Sequence, residues 1–334
     1  MIREKTKNMS KKQVCFHQFY SVKRYEKNPI LTPEIWPYRV SAVFNPAAIV
    51  FNNETLLLVR VEDYRGFSHL TIARSKDGKT DWRISPSPAL EPDPVNHPEE
   101  EWGIEDPRIV RLDEKNEYAI TYTAFSKYGP LVSLATTKDF EKFIRHGPIM
   151  PPDDKDASLF PRKFKDRWAL LHRPIPAYIE SKAHIWISYS PDLKYWGNHS
   201  IVLKAREQGW WDAFKVGLGS QPIELDDGWL IIYHGVKTTS SGGIYRLGLA
   251  LLDLNDPHKV LWRGDEWIFG PQEEYEHMGN VSDVTFTCGA ILDRESRELR
   301  IYYGAADTCV GLAIANIDEI LEYIRACIFD KTVI

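Results

Sequence analysis

The segments FNPAAIV (44–50), EDPRIVRL (105–112), LFPRKF (159–164), SQPIEL (220–225) and FTCGAIL (286–292) decide the fold, because they read as five openings of one repeated pattern. Proline stands at 46, 107, 161 and 222, with Cys288 in its place in the fifth copy, at intervals of 61, 54, 61 and 66 residues. Each opening leads into a stronger β-run: TLLLVRVED (55–63), YAITYTAF (118–125), WALLHRP (168–174), WLIIYHGV (229–236) and LRIYYGAAD (299–307). These runs carry the Val, Ile, Leu, Trp and Tyr that strands favour. A third strand follows in every copy, and three of these run into related turns, SKDGKTDW, TKDFEKF and SPDLKYW. In such a turn an Asp bonds its own backbone and the later aromatic covers the sheet.

A unit of ~50 to 65 residues, repeated five times and dominated by antiparallel strands, fits a propeller better than a sandwich or a helical solenoid. The expectation is an all-β, five-bladed β-propeller over residues 41–315, preceded by an N-terminal extension (1–40) and followed by a C-terminal helix and tail (316–334). Asn316 is the N-cap candidate, and Ile317, Ile320, Leu321 and Ile324 fall at helical spacing. That apolar face is expected to pack on the propeller, with a second copy of the chain in a homo-oligomer as the other candidate.

Bulk properties narrow the function. The 334 residues are 43% apolar, enough for a large core, and the net charge of -5 leaves no general basic field for nucleic acid. Cys15, Cys288, Cys309 and Cys327 have no CxxC spacing, which reads as free thiols. The charged start MIREKTKNMSKKQ is followed by no apolar run, and no stretch of ~18 apolar residues could span a membrane. A cytoplasmic protein without a membrane partner is expected. The ten histidines show no HxH or HExxH spacing, so no metal site is expected.

In a propeller the inner strands converge on an axial funnel, so chemistry should come from equivalent positions of different copies. The second strands end in Arg60, Glu62 and Asp63, then Tyr122 and Thr123, then His172 and Arg173, then His234, then Asp307. The openings add Asn45, then Glu105, Asp106 and Arg108, then Lys155, then Lys215. Any one of these alone reads equally well as a strand end meeting solvent. Their recurrence in register favours a shared polar funnel, since charges at the end of an apolar run are costly to bury unpaired. Trp102, Trp210 and Trp211 flank these segments; their faces suit a sugar ring, although core packing is the commoner work of a Trp.

At this point the sequence resembles glycoside hydrolase family 130, the β-mannoside phosphorylases and their hydrolytic relatives, over residues 28–325. The resemblance is carried by FNPA, RVED, GIEDPRI, ATTKDF, KDASLFPRK, LHRP, WWDAFKVGLGSQPI, GWLIIYHGV and YYGAADT. It implies a five-bladed propeller and Asp106 as the catalytic acid, acting through a sugar hydroxyl. It further implies a phosphate site on Lys155, Arg173 and His234 and a mannosyl site on Asn45, Arg60, Lys215 and Asp307. Glu62, Asp63, Glu105 and Arg108 join the expected substrate-binding set from their place in the funnel. Many members resembling this chain carry Arg where it has Lys155, and lysine lacks the bidentate fork.

The implied reaction is inverting phosphorolysis of β-1,2- or β-1,4-linked manno-oligosaccharides to α-mannose 1-phosphate, with inorganic phosphate as co-substrate and no cofactor. An inverting hydrolase needs a second carboxylate to activate water, whereas phosphate is already a nucleophile and needs cations to hold it. The alternatives are a β-mannoside hydrolase with Glu62, Asp63 or Glu105 as base, and a non-catalytic sugar-binding propeller. Five-bladed furanoside glycosidases are disfavoured by the His and Arg of LHRP and YHGV.

Overall fold

The computed structural model describes residues 21–176 and 182–326; Cys15, Cys327 and the rest of both termini lie outside them. Strand β1 (Lys23–Arg24) comes first and pairs last. The first meander is β2 (Ala42–Phe51), β3 (Glu54–Glu62), β4 (Ser68–Ser75) and β5 (Arg83–Ile84). The second is β6 (Gly103–Leu112), β7 (Glu117–Ser126), β8 (Gly129–Thr137) and β9 (Phe143–Pro148), joined to the first by one parallel pair, Ser68 with Gly103. The third is β10 (Asp154–Leu159), β11 (Trp168–Pro174), β12 (Ile185–Ser190) and β13 (Gly197–Leu203). In the fourth, β14 (Lys215–Leu218) and β15 (Ile223–Leu225) both pair with β16 (Gly228–Thr239), which continues to β17 (Gly242–Leu252) and β18 (Val260–Arg263). The fifth is β19 (Thr285–Leu292), β20 (Glu298–Ala305) and β21 (Cys309–Asn316), completed by β1 against β21. Among the described residues the α-helices are only α1 (Glu274–His277) and α2 (Ile317–Ala326), so the chain is mainly β as expected.

The second strands are apolar on both faces because each sheet is covered on both sides. Five clusters of buried side chains fill the gaps between meanders. Leu58 and Ile72 meet Ile120 and Ala135; Val110 and Leu134 meet Leu159 and Leu170; Leu171 and Ile187 meet Trp229 and Ile231. Leu230 and Leu249 meet Ile301 and Ala313, and Tyr302 and Leu312 of the fifth meander meet Leu57 and Val59 of the first. Each fully buried aliphatic side chain contributes roughly 1.5–3 kcal/mol.

The turn chemistry holds. Asp77 accepts the N–H groups of Lys79 and Thr80, Asp139 those of Glu141 and Lys142, and Asp192 those of Lys194 and Tyr195. Asp253 does the same after the third strand of the fourth meander, where no such turn was expected, and Asp293 makes one between β19 and β20. The aromatics Trp82, Phe143 and Trp196 then pack against the neighbouring clusters. Asn316 caps α2 through the Asp318 N–H at 2.8 Å, and Ile317, Ile320 and Ile324 are buried against the fourth and fifth meanders.

The proline register requires correction. Strand pairing sets Phe44 opposite Arg60, Glu105 opposite Thr123 and Lys155 opposite Arg173. Equivalent positions are therefore Pro46, Pro107 and Ala157, and Pro161 falls beyond the end of β10. Pro222 falls in the gap between β14 and β15. A proline is tolerated where the ladder is interrupted, whichever interruption that is, so it marks strand ends without fixing register.

Candidate active site

Three openings carry the same irregularity. The ladder slips between Phe44 and Ala47, between Glu105 and Arg108, and between Lys155 and Ser158. At each slip a residue takes a left-handed backbone: Asn45 (φ 46°), Asp106 (φ 48°) and Asp156 (φ 53°). Asn and Asp tolerate this region best among residues with a side chain, and a bulge of this kind re-aims that side chain. Local backbone chemistry thus favours Asn or Asp at the three positions that converge on the cavity.

That cavity measures about 460 Å³ and is lined by Asn45, Arg60, Asp106, Lys155, Asp156, Arg173, Lys215, His234 and Asp307. Ile175, Phe214, Tyr245, Val281, Val284 and Phe286 form its apolar wall. Of the expected funnel residues, Glu62, Asp63, Glu105 and Arg108 do not line it. Asp63 is a turn residue, accepting the N–H groups of Arg65 and Phe67. Glu62 and Glu105 stand behind Arg60, at 3.8 and 3.0 Å. Arg108 is a buried strut: it donates to the carbonyls of Asp106, Leu218 and Gly219 and so ties β6 to the β14–β15 segment. Tyr122, Thr123 and His172 are buried and also stand outside the lining, as do Trp102, Trp210 and Trp211; Trp211 stacks on Tyr233.

The charges divide into two lobes. Asp106 Oδ1 accepts from Asn45 Nδ2 at 2.9 Å and from Arg60 at 3.0 Å. Burial pushes the Asp106 carboxyl up, but Arg60, Arg108 and Lys155 outweigh it and hold the group below its usual value. Asp307 lies in the same lobe; burial, with Asp106, Glu105 and Glu62 adding to it and Arg60 opposing, pushes it up to about 6.

The second lobe centres on Asp156, which the sequence reading quoted within KDASLFPRK without giving it a role. Its Oδ2 accepts from Arg173 Nε at 2.6 Å and stands 3.5 Å from His234 Nε2. Burial pushes His234 down to about 3 against the pull of Asp156, so at neutral pH it is a hydrogen-bonding imidazole without charge. The expected basic trio therefore holds two charges, Lys155 and Arg173, and one neutral donor. Lys155 reaches back to Glu105 at 3.8 Å and links the lobes.

His172 does not face the cavity. Its Nδ1 meets Asp154 at 2.6 Å, and the other Asp154 oxygen accepts the Arg173 N–H, which fixes the backbone beneath the second lobe. Aligning the openings by strand partner, so that Lys155-Asp156-Ala157 matches Glu105-Asp106-Pro107, is the signal that finds Asp156. The proline at 161 hid it. Among the described residues no group of three His, Cys, Asp or Glu converges as a metal site.

The family model described as β-1,4-mannooligosaccharide phosphorylase, glycoside hydrolase family 130, matches residues 14–326. A 1,2-β-oligomannan phosphorylase of Thermoanaerobacter sp. is 37% identical over 90% of this chain and 98% of its own length. A β-1,4-mannooligosaccharide phosphorylase of Ruminococcus albus is 32% identical over 91% and 90%. The solved structure of a β-1,2-mannobiose phosphorylase from Listeria innocua, in complex with β-1,2-mannobiose, superposes with a TM-score of 0.81 at 32% identity, covering 91% of this chain and 99% of that one. The chain belongs to glycoside hydrolase family 130.

Proposed function

We propose that the protein is an inverting β-mannoside phosphorylase, cytoplasmic, whose five meanders are the blades of one β-propeller spanning residues 41–315. The architecture is supported by the five apolar clusters, four joining consecutive meanders and one joining the fifth to the first. In this reading β1 (Lys23–Arg24) completes the last blade, and α2 (Ile317–Ala326) packs on the outside. Buried free Cys288 and Cys309 suit a reducing compartment.

The reading of the site rests on one observation: a single cavity has a carboxylate held by Asn45 and Arg60 in one lobe and a cationic pocket in the other. Asp106 is the acid. The cations around it favour its ionised form in the ligand-free site, and bound phosphate, by offsetting Lys155, raises its proton affinity; both its donors meet Oδ1, so Oδ2 is the oxygen free to take up the proton and pass it, through a sugar hydroxyl, to the glycosidic oxygen. Asn45, Arg60, Lys215 and Asp307 hold the mannosyl ring, with Glu62, Glu105, Asp63 and Arg108 shaping the surroundings from outside the cavity wall. Lys155 and Arg173 bind phosphate and offset its charge, and His234 donates to one of its oxygens. Phosphate attacks the anomeric carbon from the face opposite the leaving sugar, the C–O bond breaks, and inversion at a β-mannoside gives α-mannose 1-phosphate. Holding both reactants in one cavity supplies the positional part of the rate enhancement. The three bases considered for a hydrolase, Glu62, Asp63 and Glu105, stand outside the lining, which leaves water without an activating carboxylate from that set.

The test is a product assay. Manno-oligosaccharide turnover should require phosphate and yield a sugar 1-phosphate, and α-mannose 1-phosphate with a panel of acceptors should give the linkage in reverse. Asp106→Asn should lower kcat by about 10³-fold or more while leaving sugar binding measurable. Release of free mannose at an undiminished rate without phosphate would remove the phosphorylase reading, and undiminished turnover in Asp106→Asn would remove the acid.

A further inference from the structure

A cationic pocket for phosphate does not by itself account for the ionised carboxylate at its centre. Asp156 is 1% exposed, yet it lines the cavity. Its Oδ2 stands 2.6 Å from Arg173 Nε and 3.5 Å from His234 Nε2, and its Oδ1 stands 3.6 Å from an Arg108 nitrogen. Burial pushes this carboxyl up, but the cations Arg173, Arg108 and Lys155 hold it well below its usual range, so it stays charged.

The packing is arranged around that oxygen. The left-handed backbone at residue 156 aims the side chain inward, and Gly217 on β14 leaves the space it occupies. A Cβ at 217 would lie 2.4 Å from Asp156 Oδ2 and 2.4 Å from His234 Cε1. Holding Arg173 by Nε leaves its two terminal amino groups for a ligand.

An ionised carboxylate accepts hydrogen bonds and donates none. A tetrahedral anion without a proton meets only repulsion from it, whereas one that keeps a hydroxyl can donate to it. Inorganic phosphate keeps at least one proton through the neutral range; sulfate keeps none.

We infer that Asp156 makes the anion pocket selective for a protonated tetrahedral oxyanion, accepting the P–OH of hydrogen phosphate while Lys155 and Arg173 bind the charged oxygens. This rests on the assignment of the pocket to phosphate given above.

The test uses initial rates of phosphorolysis at matched ionic strength, with arsenate, sulfate and selenate as competing anions. In the wild-type enzyme arsenate competes at concentrations near those of phosphate, while sulfate and selenate require about 30-fold more, as expected for one hydrogen bond to a charged group. Asp156→Asn raises KM for phosphate and strengthens sulfate inhibition, so that their ratio falls by about tenfold or more. Sulfate competing with the wild-type enzyme as well as arsenate does overturns the inference and needs no variant. A ratio unchanged in Asp156→Asn overturns it as well. Lys155→Ala and Arg173→Ala separate this from the site assignment. Unchanged phosphate KM in both removes the phosphate pocket itself, whereas raised KM together with free sulfate competition removes the role of Asp156 alone.

Discussion

Lys215 and Asp307 line the same cavity and both lose charge more readily than usual, by opposite proton movements. Burial, with Arg173 and Lys155 acting in the same direction and Asp156 opposing, pushes Lys215 down from 10.5 to about 8. Between those values the unfolded chain holds a proton that the folded one has released. The resulting cost is fully present below pH 8 and fades as pH rises toward 10.5. Lys215→Met should therefore stabilise the ligand-free protein by about 1–3 kcal/mol at neutral pH while raising KM for the mannoside about tenfold or more. Urea unfolding across pH checks this, and a gain that persists undiminished toward pH 10.5 contradicts it. Asp307, at about 6, is the converse case: its carboxylate form is costly above that pH, and protonation relieves the cost as pH falls toward 3.8. Where the ionised group holds sugar hydroxyls, kcat/KM for the mannoside should decline below about pH 6. Asp307→Asn should lose that acid limb and show a higher KM at every pH.

At the scale of elements, the site is built from bulges on opening strands and polar ends on second strands. Second strands were legible because burial on both faces writes a continuous apolar run, and WALLHRP coincides with β11 residue for residue. Opening strands were misregistered in the third and fourth meanders, since a bulge is set by its partner strand, which sequence spacing does not report. Arg173 and His234 were legible as polar residues ending apolar runs; Asp156 was not, because its bulge was counted as lying elsewhere. Gly217 has the same origin, as its need for a bare backbone comes from Asp156 and His234. Gly217→Ala should raise the phosphate KM by about tenfold or more with a smaller change for the mannoside, read from steady-state kinetics with each substrate varied. Asn316→Ala should cost about 1 kcal/mol in chemical unfolding and leave kinetics unchanged, because α2 packs outside the meanders.

At the scale of the whole molecule, residues near the start of the chain complete its last sheet: Lys23 pairs with Ile314, Arg24 with Ala313, and Leu31 bridges Val310. Arg24 donates to both oxygens of Glu276, at 2.8 and 2.6 Å, and lies over the Phe269 ring. Glu276 is fully buried and also accepts from Tyr303. Removing its cation leaves a buried charge, so Arg24→Met should destabilise the protein by about 3 kcal/mol. Equilibrium unfolding with Glu276→Gln as the paired variant measures it: the double variant should recover part of the loss.

The amino-acid sequence by itself determined the class of structure, the five-fold repeat, the turn chemistry and the capped C-terminal helix, because each follows from local periodicity and backbone preference. Arg60, Arg173, His234 and Asp307, at or just past the ends of second strands, and Asn45, Asp106, Lys155 and Lys215, on the openings, were legible in it as polar residues in register, and all eight line one cavity. Only the tertiary structure decided that Arg108 is a strut, that Glu62, Asp63 and Glu105 stand behind the wall, that His234 is neutral, and that Asp156 sits among the cations. Charge state and exposure depend on what is packed around a group, and those neighbours are brought by strands tens to hundreds of residues away.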